Sequence, residues 1–164
     1  VNKMKDAFTY HGKVKISYKI NGKTYEIPAH NLGTQNLFKF LCRSLCGANV
    51  INDRPIQIDI RTSTQSSFLY SESILIDKLA VSTTYIDDIS VGWMAKFTAE
   101  LKYNNLNMDI SPLEQNYFRL YLQNSSEEDF AYVGVDYLTL AQLQAGTQLQ
   151  IDWCLYFDNI GQQS

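Results

Sequence analysis

Gln148–Asp158 reads QLQIDWCLYFD, with Leu149, Ile151, Trp153, Leu155 and Phe157 at strict period two. Side chains alternate across a β-strand, so this stretch has one face to bury and one to leave in water. A second run, Val91–Tyr103 (VGWMAKFTAELKY), puts Val91, Trp93, Ala95, Phe97, Ala99, Leu101 and Tyr103 on one side. Two long one-faced strands call for a thick core between packed sheets.

Nearer the N-terminus, His11–Ile20 alternates and runs into Asn21-Gly22, followed by Lys23–Pro28. Asn-Gly between alternating runs predicts a hairpin, because both turn positions favour positive φ. Ala29–Gly33 reads as a polar break. Thr34 then caps a helix over Gln35–Leu45, with Leu37, Phe38, Leu41, Cys42 and Leu45 at helical spacing and Gly47 as its stop. Further strands are expected at Pro55–Thr62, around Phe68–Tyr70, at Ile74–Leu79, at Tyr117–Gln123 and at Ala131–Tyr137. Thr83–Ser90 and Asn124–Asp129 read as loops, and Leu138–Gly146 as a short ordered connection.

With eight or nine strands and one amphipathic helix near residues 35–45, the fold class is mainly β: an antiparallel β-sandwich, immunoglobulin-like or jelly-roll-like. A doubly wound α/β fold would need helices between the strands. At 164 residues the chain is large enough to bury a core without disulfide or metal staples. Residues 1–10 carry no pattern and read as an N-terminal arm that orders on assembly, 11–160 as a single sandwich domain, and 161–164 as a polar tail. No linker, internal repeat or low-complexity segment divides it.

Composition narrows function mainly by exclusion. Net charge is −3, from 14 basic and 17 acidic residues. The one basic cluster, Lys3, Lys5, Lys13, Lys15, Lys19 and Lys23, lies on the first hairpin, where Lys13, Lys15 and Lys19 alternate with Val14, Ile16, Tyr18 and Ile20. That is a solvated strand face of the kind that blocks edge pairing, so nucleic acid is not an expected partner. No apolar run reaches the roughly 20 residues of a membrane helix, and no basic start leads into an apolar signal core. Three cysteines leave no complete disulfide framework. Cys42 and Cys46 are expected to be reduced thiols along the buried helix face, in keeping with folding in a cytosol.

No catalytic constellation emerges, and the chain is not expected to be an enzyme. His11 and His30 are the only histidines. His30 reads as a group satisfying backbone at the helix start, and a Cys–His pair with Cys42 or Cys46 is disfavoured by the thiols' apolar face. Asp87-Asp88 are adjacent in a loop and do not face each other across a groove, as glycoside hydrolysis would need. Glu127, Glu128 and Asp129 read as a solvated acidic loop. Neither acidic group has a defined calcium-loop spacing, and no phosphate-cradling glycine pattern occurs, so no metal or cofactor is expected. Asn124-Ser125-Ser126 matches a glycosylation acceptor, a match frequent by chance. Trp93 and Trp153 fall on apolar strand faces and are expected in the core.

Three segments carry a resemblance. HNLGTQNLFKFLCRSLCG (His30–Gly47), GWMAKFTAELKY (Gly92–Tyr103) and LAQLQAGTQLQIDWCLYF (Leu140–Phe157) resemble parts of small virion proteins of tailed bacteriophages, of the tail, collar and head-fibre sandwich type. The resemblance implies a structural component of the virion at the neck, tail or capsid surface, made in the host cytoplasm. Its partners would be other virion proteins and copies of itself. Eleven Tyr and eight Phe suit broad, wet, aromatic-rich interfaces. The alternative is a carbohydrate-binding or host-adhesion sandwich module, since aromatic faces stack on sugars. The sequence does not single out interface residues for either role.

Overall fold

The computed structural model describes residues 8–20, 23–27, 30–88, 92–102, 117–135 and 148–159. They form ten strands, β1 (Phe8–Ile20), β2 (Lys23–Ile27), β3 (His30–Gly33), β4 (Gln57–Ser63), β5 (Ile74–Ala80), β6 (Ser82–Asp88), β7 (Gly92–Lys102), β8 (Tyr117–Gln123), β9 (Asp129–Val135) and β10 (Gln148–Asn159), with one helix, α1 (Gln35–Leu45). Every pairing is antiparallel. Sheet A has the order β2-β1-β10-β7-β6 and sheet B the order β3-β9-β8-β4-β5. The fold is a β-sandwich, as the alternation of β7 and β10 implies.

Those two strands are neighbours, with Trp153 opposite Phe97 and Ile151 opposite Ala99. The inward side chains of sheet A, Phe97, Ala99, Leu101, Ile151, Trp153 and Leu155, merge into one buried cluster with Ile58, Ile60, Leu120, Leu122 and Val133 of sheet B. Two bulges adjust the inner face of sheet B. Ile60 pairs with Asp77 and Arg61 with Leu75, so Ile76 is the extra residue and turns inward with Leu79. Leu122 pairs with Ala131 and Gln123 with Asp129, so Phe130 is extra and is buried beside Ala131. A bulge breaks period two locally, and here it adds an apolar side chain to the core.

Helix α1 starts and stops where the sequence predicts. Thr34 does not cap through its side chain; its hydroxyl donates to the Asp129 carbonyl, and its N–H to the Phe130 carbonyl at 3.0 Å, tying the helix start to β9. At the other end Gly47 sits at φ 79°, the Gly47 N–H reaches the Ser44 carbonyl at 3.2 Å, and the Ala48 N–H reaches Arg43 at 3.0 Å. This is a Schellman stop, which requires the left-handed conformation that glycine adopts without strain.

Several expectations need correction. The last three residues of the expected arm, Phe8–Tyr10, belong to β1, while 1–7 and the tail 161–164 lie outside the described residues. Ala29–Gly33 is not simply a polar break, because His30–Gly33 pairs with β9. Ser82–Asp88 is a strand rather than a loop, since Thr83, Tyr85 and Asp87 find partners on β7. Phe68–Tyr70 is not a strand; it leads into a 3₁₀ turn at Tyr70–Glu72. The described strands number ten rather than eight or nine. The helix buries a different stripe from the one expected: Leu37 is buried, with Phe40 and Leu41 packed beside it, whereas Phe38, Cys42, Leu45 and Cys46 are exposed. The inward bulge at Phe130 sets this rotation, its ring meeting Phe40 edge-on with centroids 5.5 Å apart.

Candidate interaction surfaces

Two features stand out, one at an end of the sandwich and one on the outer face of sheet B. At the end, α1 stands off from the β6–β7 side of sheet A and leaves a cavity of about 250 Å³. Leu37, Phe40 and Leu41 form one wall, and Tyr85, Met94 and Ala95 the other. The cavity is open to solvent and continuous with β6, the edge strand of sheet A. Tyr85 on that edge is 69% exposed. Edge strands carry unpaired backbone groups and are usually blunted by Lys, Pro or bulges. The opposite edge, β2, has such protection: Lys23 lies over the Tyr25 ring at 5.4 Å, and Glu26 pairs with Lys15 at 3.0 Å. In β6, STTYIDD, no lysine or proline occurs.

On the outer face of sheet B the β4–β5 connection folds back over the strands. Phe68 is buried there, and Tyr70 caps Asp59, which has no exposed surface. Asp59 Oδ1 accepts from Arg61 Nε at 2.8 Å and Oδ2 from the Tyr70 hydroxyl at 2.8 Å. The Arg61 guanidinium also stacks on the Tyr70 ring, 3.8 Å from its centroid. Burial works to lower the Arg61 pKa, but the Asp59 carboxylate more than offsets it, so the group stays above its ordinary value. Tyr121 meets Tyr70 edge-on at 5.1 Å, and burial raises its phenol pKa. Gln123, fully buried, donates to Asp129 Oδ1 at 2.8 Å and accepts from Gln57 at 3.2 Å. Burial raises the Asp129 pKa above the usual carboxylate range.

His11 lies opposite Tyr156 in sheet A and His30 opposite Gly134 in sheet B, so the two histidines are on different sheets. Cys42 on α1 and Cys46 at its C-cap are exposed and not the buried pair expected. Asp87 is on edge strand β6. The Glu127–Asp129 group is not a uniformly solvated loop: Glu127 sits at φ 60° and its carboxylate takes Lys78, which holds its pKa below the usual range, whereas Asp129 opens β9 and turns toward Gln123. Asn124 is 2% exposed, and its Oδ1 accepts the N–H groups of Ser126 at 3.0 Å and Glu128 at 2.9 Å. It organises the β8–β9 turn and is not presented as a glycan acceptor. Trp153 is buried as expected, with no partner for its indole N–H among the described residues.

Sequence reading missed the outer-face cluster. Its members alternate with core residues on β4 and β8 (Gln57, Asp59, Arg61; Arg119, Tyr121, Gln123) and so look like an ordinary wet face. The available signal was that two strands each combined charge with large hydrogen-bonding side chains on the non-core parity. Among the described residues, no helix is long and apolar enough to cross a membrane, and no three His, Cys, Asp or Glu side chains form a group able to hold a metal ion. No family model matches the chain, and neither a curated protein nor a solved structure was found to match it.

Proposed function

We propose that this protein is a non-enzymatic structural subunit that works by protein–protein assembly, in the manner of the phage virion proteins its sequence resembles, with copies of itself among its partners. The observation that carries the reading is β6, an edge strand of sheet A among the described residues that has no lysine or proline and lies beside the apolar cavity. A second copy is the favoured occupant on grounds of charge. Antiparallel self-pairing centred on Tyr85 sets Asp87 against Thr83 and Asp88 against Ser82, so both acids meet hydroxyls and no like charges face each other. Such a contact is isologous, closes on a two-fold axis and joins two five-stranded sheets into one. The exposed Tyr85 ring would then cover the mouth of the cavity.

The test is the molar mass of the purified chain by light scattering behind a sizing column, over a wide concentration range. A dimer, or a mass rising with concentration, is expected, and Tyr85→Lys should return the monomer by placing two cations across the dyad. A wild-type chain that stays monomeric throughout the range overturns the proposal.

A further inference from the structure

Arg61 of β4 and Arg119 of β8 are directly opposite each other on the outer face of sheet B. Like charges so placed repel. One carboxylate, Asp59, is at hand, and both its oxygens are engaged by Arg61 and Tyr70. Arg119 is left with neutral partners. Its Nη1 donates to the Phe68 carbonyl at 2.8 Å and to the Tyr121 hydroxyl at 3.5 Å, and its guanidinium lies 4.2 Å from the Phe68 ring centroid and 5.9 Å from that of Tyr132. Among the described residues no carboxylate stands within ion-pair distance of it.

On its other side Arg119 faces Gly134 of β9. A Cβ built there would meet nothing within 4 Å among the described residues. Among the described residues the side-chain layer therefore has a gap beside a partly buried cation with no carboxylate partner, and the Tyr132 ring is at its border. We propose that this gap is a carboxylate-binding subsite for an acidic sugar, a uronic acid residue in a glycan. Its carboxylate would pair with Arg119, and its ring would lie over Gly134 against Tyr132. One spare guanidinium matches the single charge of a carboxylate, where a phosphate dianion would call for more. An aromatic wall beside a glycine floor admits the flat face of a pyranose. The Tyr121 hydroxyl, 3.5 Å from Arg119 Nη1, can serve as a donor at the same point.

The test is an NMR titration of the labelled chain, following the Arg119 Nε–H and Gly134 amide signals. The probes are methyl β-D-glucuronide, methyl β-D-glucoside, acetate and N-acetylglutamate methylamide. The glucuronide should bind with a Kd on the order of 1 mM, and the neutral glucoside at least about tenfold more weakly, the loss of one charged partner. Gly134→Val should abolish the response while leaving the thermal midpoint unchanged or higher, because its Cβ enters open space among the described residues and a β-branched side chain suits a strand. Arg119→Met should also abolish it. Equal binding of glucoside and glucuronide, a silent glucuronide, or full affinity in Gly134→Val overturns the proposal. Acetate or the glutamate amide binding as well as the glucuronide overturns the sugar assignment, the latter in favour of an acidic protein side chain. The subsite is on sheet B and β6 on sheet A, so this result and the oligomeric state are read independently.

Discussion

Replacing Asp59 with Ala should be among the most damaging single changes on the outer face of sheet B. The carboxylate has no exposed surface, and the Arg61 side chain beside it is 15% exposed. The substitution removes a charge-assisted hydrogen bond worth about 1.5–3 kcal/mol and the bond from Tyr70, worth about 1 kcal/mol. It also leaves two like-charged guanidinium groups opposed across β4 and β8 with no counter-ion between them among the described residues. Breaking a buried ion pair costs about 3–5 kcal/mol when the remaining charge is stranded. Arg61 retains some access to water, which places Asp59→Ala at about 3 kcal/mol, the lower end of that range. In urea denaturation the midpoint should fall with the slope unchanged, and the thermal midpoint should drop by roughly 6–12 °C. A double-mutant cycle with Arg61→Met isolates the pair, and a coupling of at least about 1 kcal/mol is expected. Tyr70→Phe alone should cost about 1 kcal/mol. A loss under about 1 kcal/mol in Asp59→Ala, or additive single effects, would refute the reasoning and mean that the cluster is a solvated surface.

Three further outcomes are expected. Because burial raises the Asp129 pKa, its ionisation works against the folded state; Asp129→Asn should be neutral or stabilising at pH 7. That advantage should shrink as pH falls through the folded-state pKa, and disappear below the unfolded one, in stability curves recorded against pH. Trp153→Ala should cost about 4 kcal/mol from the cavity left in the core, whereas Trp153→Phe should cost only about 1 kcal/mol, because losing an indole N–H with no partner among the described residues offsets part of the lost packing. Gly47→Ala should lower stability by about 1 kcal/mol, measured by chemical denaturation, since its φ of 79° strains any residue with a Cβ.

What could be read from the sequence follows from where each strand sits. β7 and β10 are central, each with one face in the core, so their apolar residues recur at period two. β6 is an edge strand with Thr83, Tyr85 and Asp87 exposed, so nothing in STTYIDD marks a buried side. β3 is four residues, His30–Gly33, whose composition reads as a turn; its pairing with β9 supplies what local preference does not. The helix was locatable from Thr34 and Gly47, but its buried stripe depended on a bulge at Phe130, far away in sequence. The outer-face cluster depended on register. Asp59, Arg61 and Arg119 are each unremarkable alone, and only the pairing of β4 with β8 sets two arginines against one carboxylate.

The pairing of β1 with β10 has a consequence for how the protein is made. Phe8 lies opposite Asn159, and β10 also supplies the neighbour of β7, so sheet A cannot close until residues 148–159 have been synthesised. The described strands of sheet B all lie at or before Val135. During translation β7 must therefore wait, its Phe97, Ala99 and Leu101 face lacking the strand that will lie beside it. Such non-local closure is slow and leaves apolar surface open to wrong partners. Where many chains are made at once in a crowded cell, the hazard is a neighbouring chain offering its own β10 first, and exchange of that strand between copies is the misfolding route this topology leaves open.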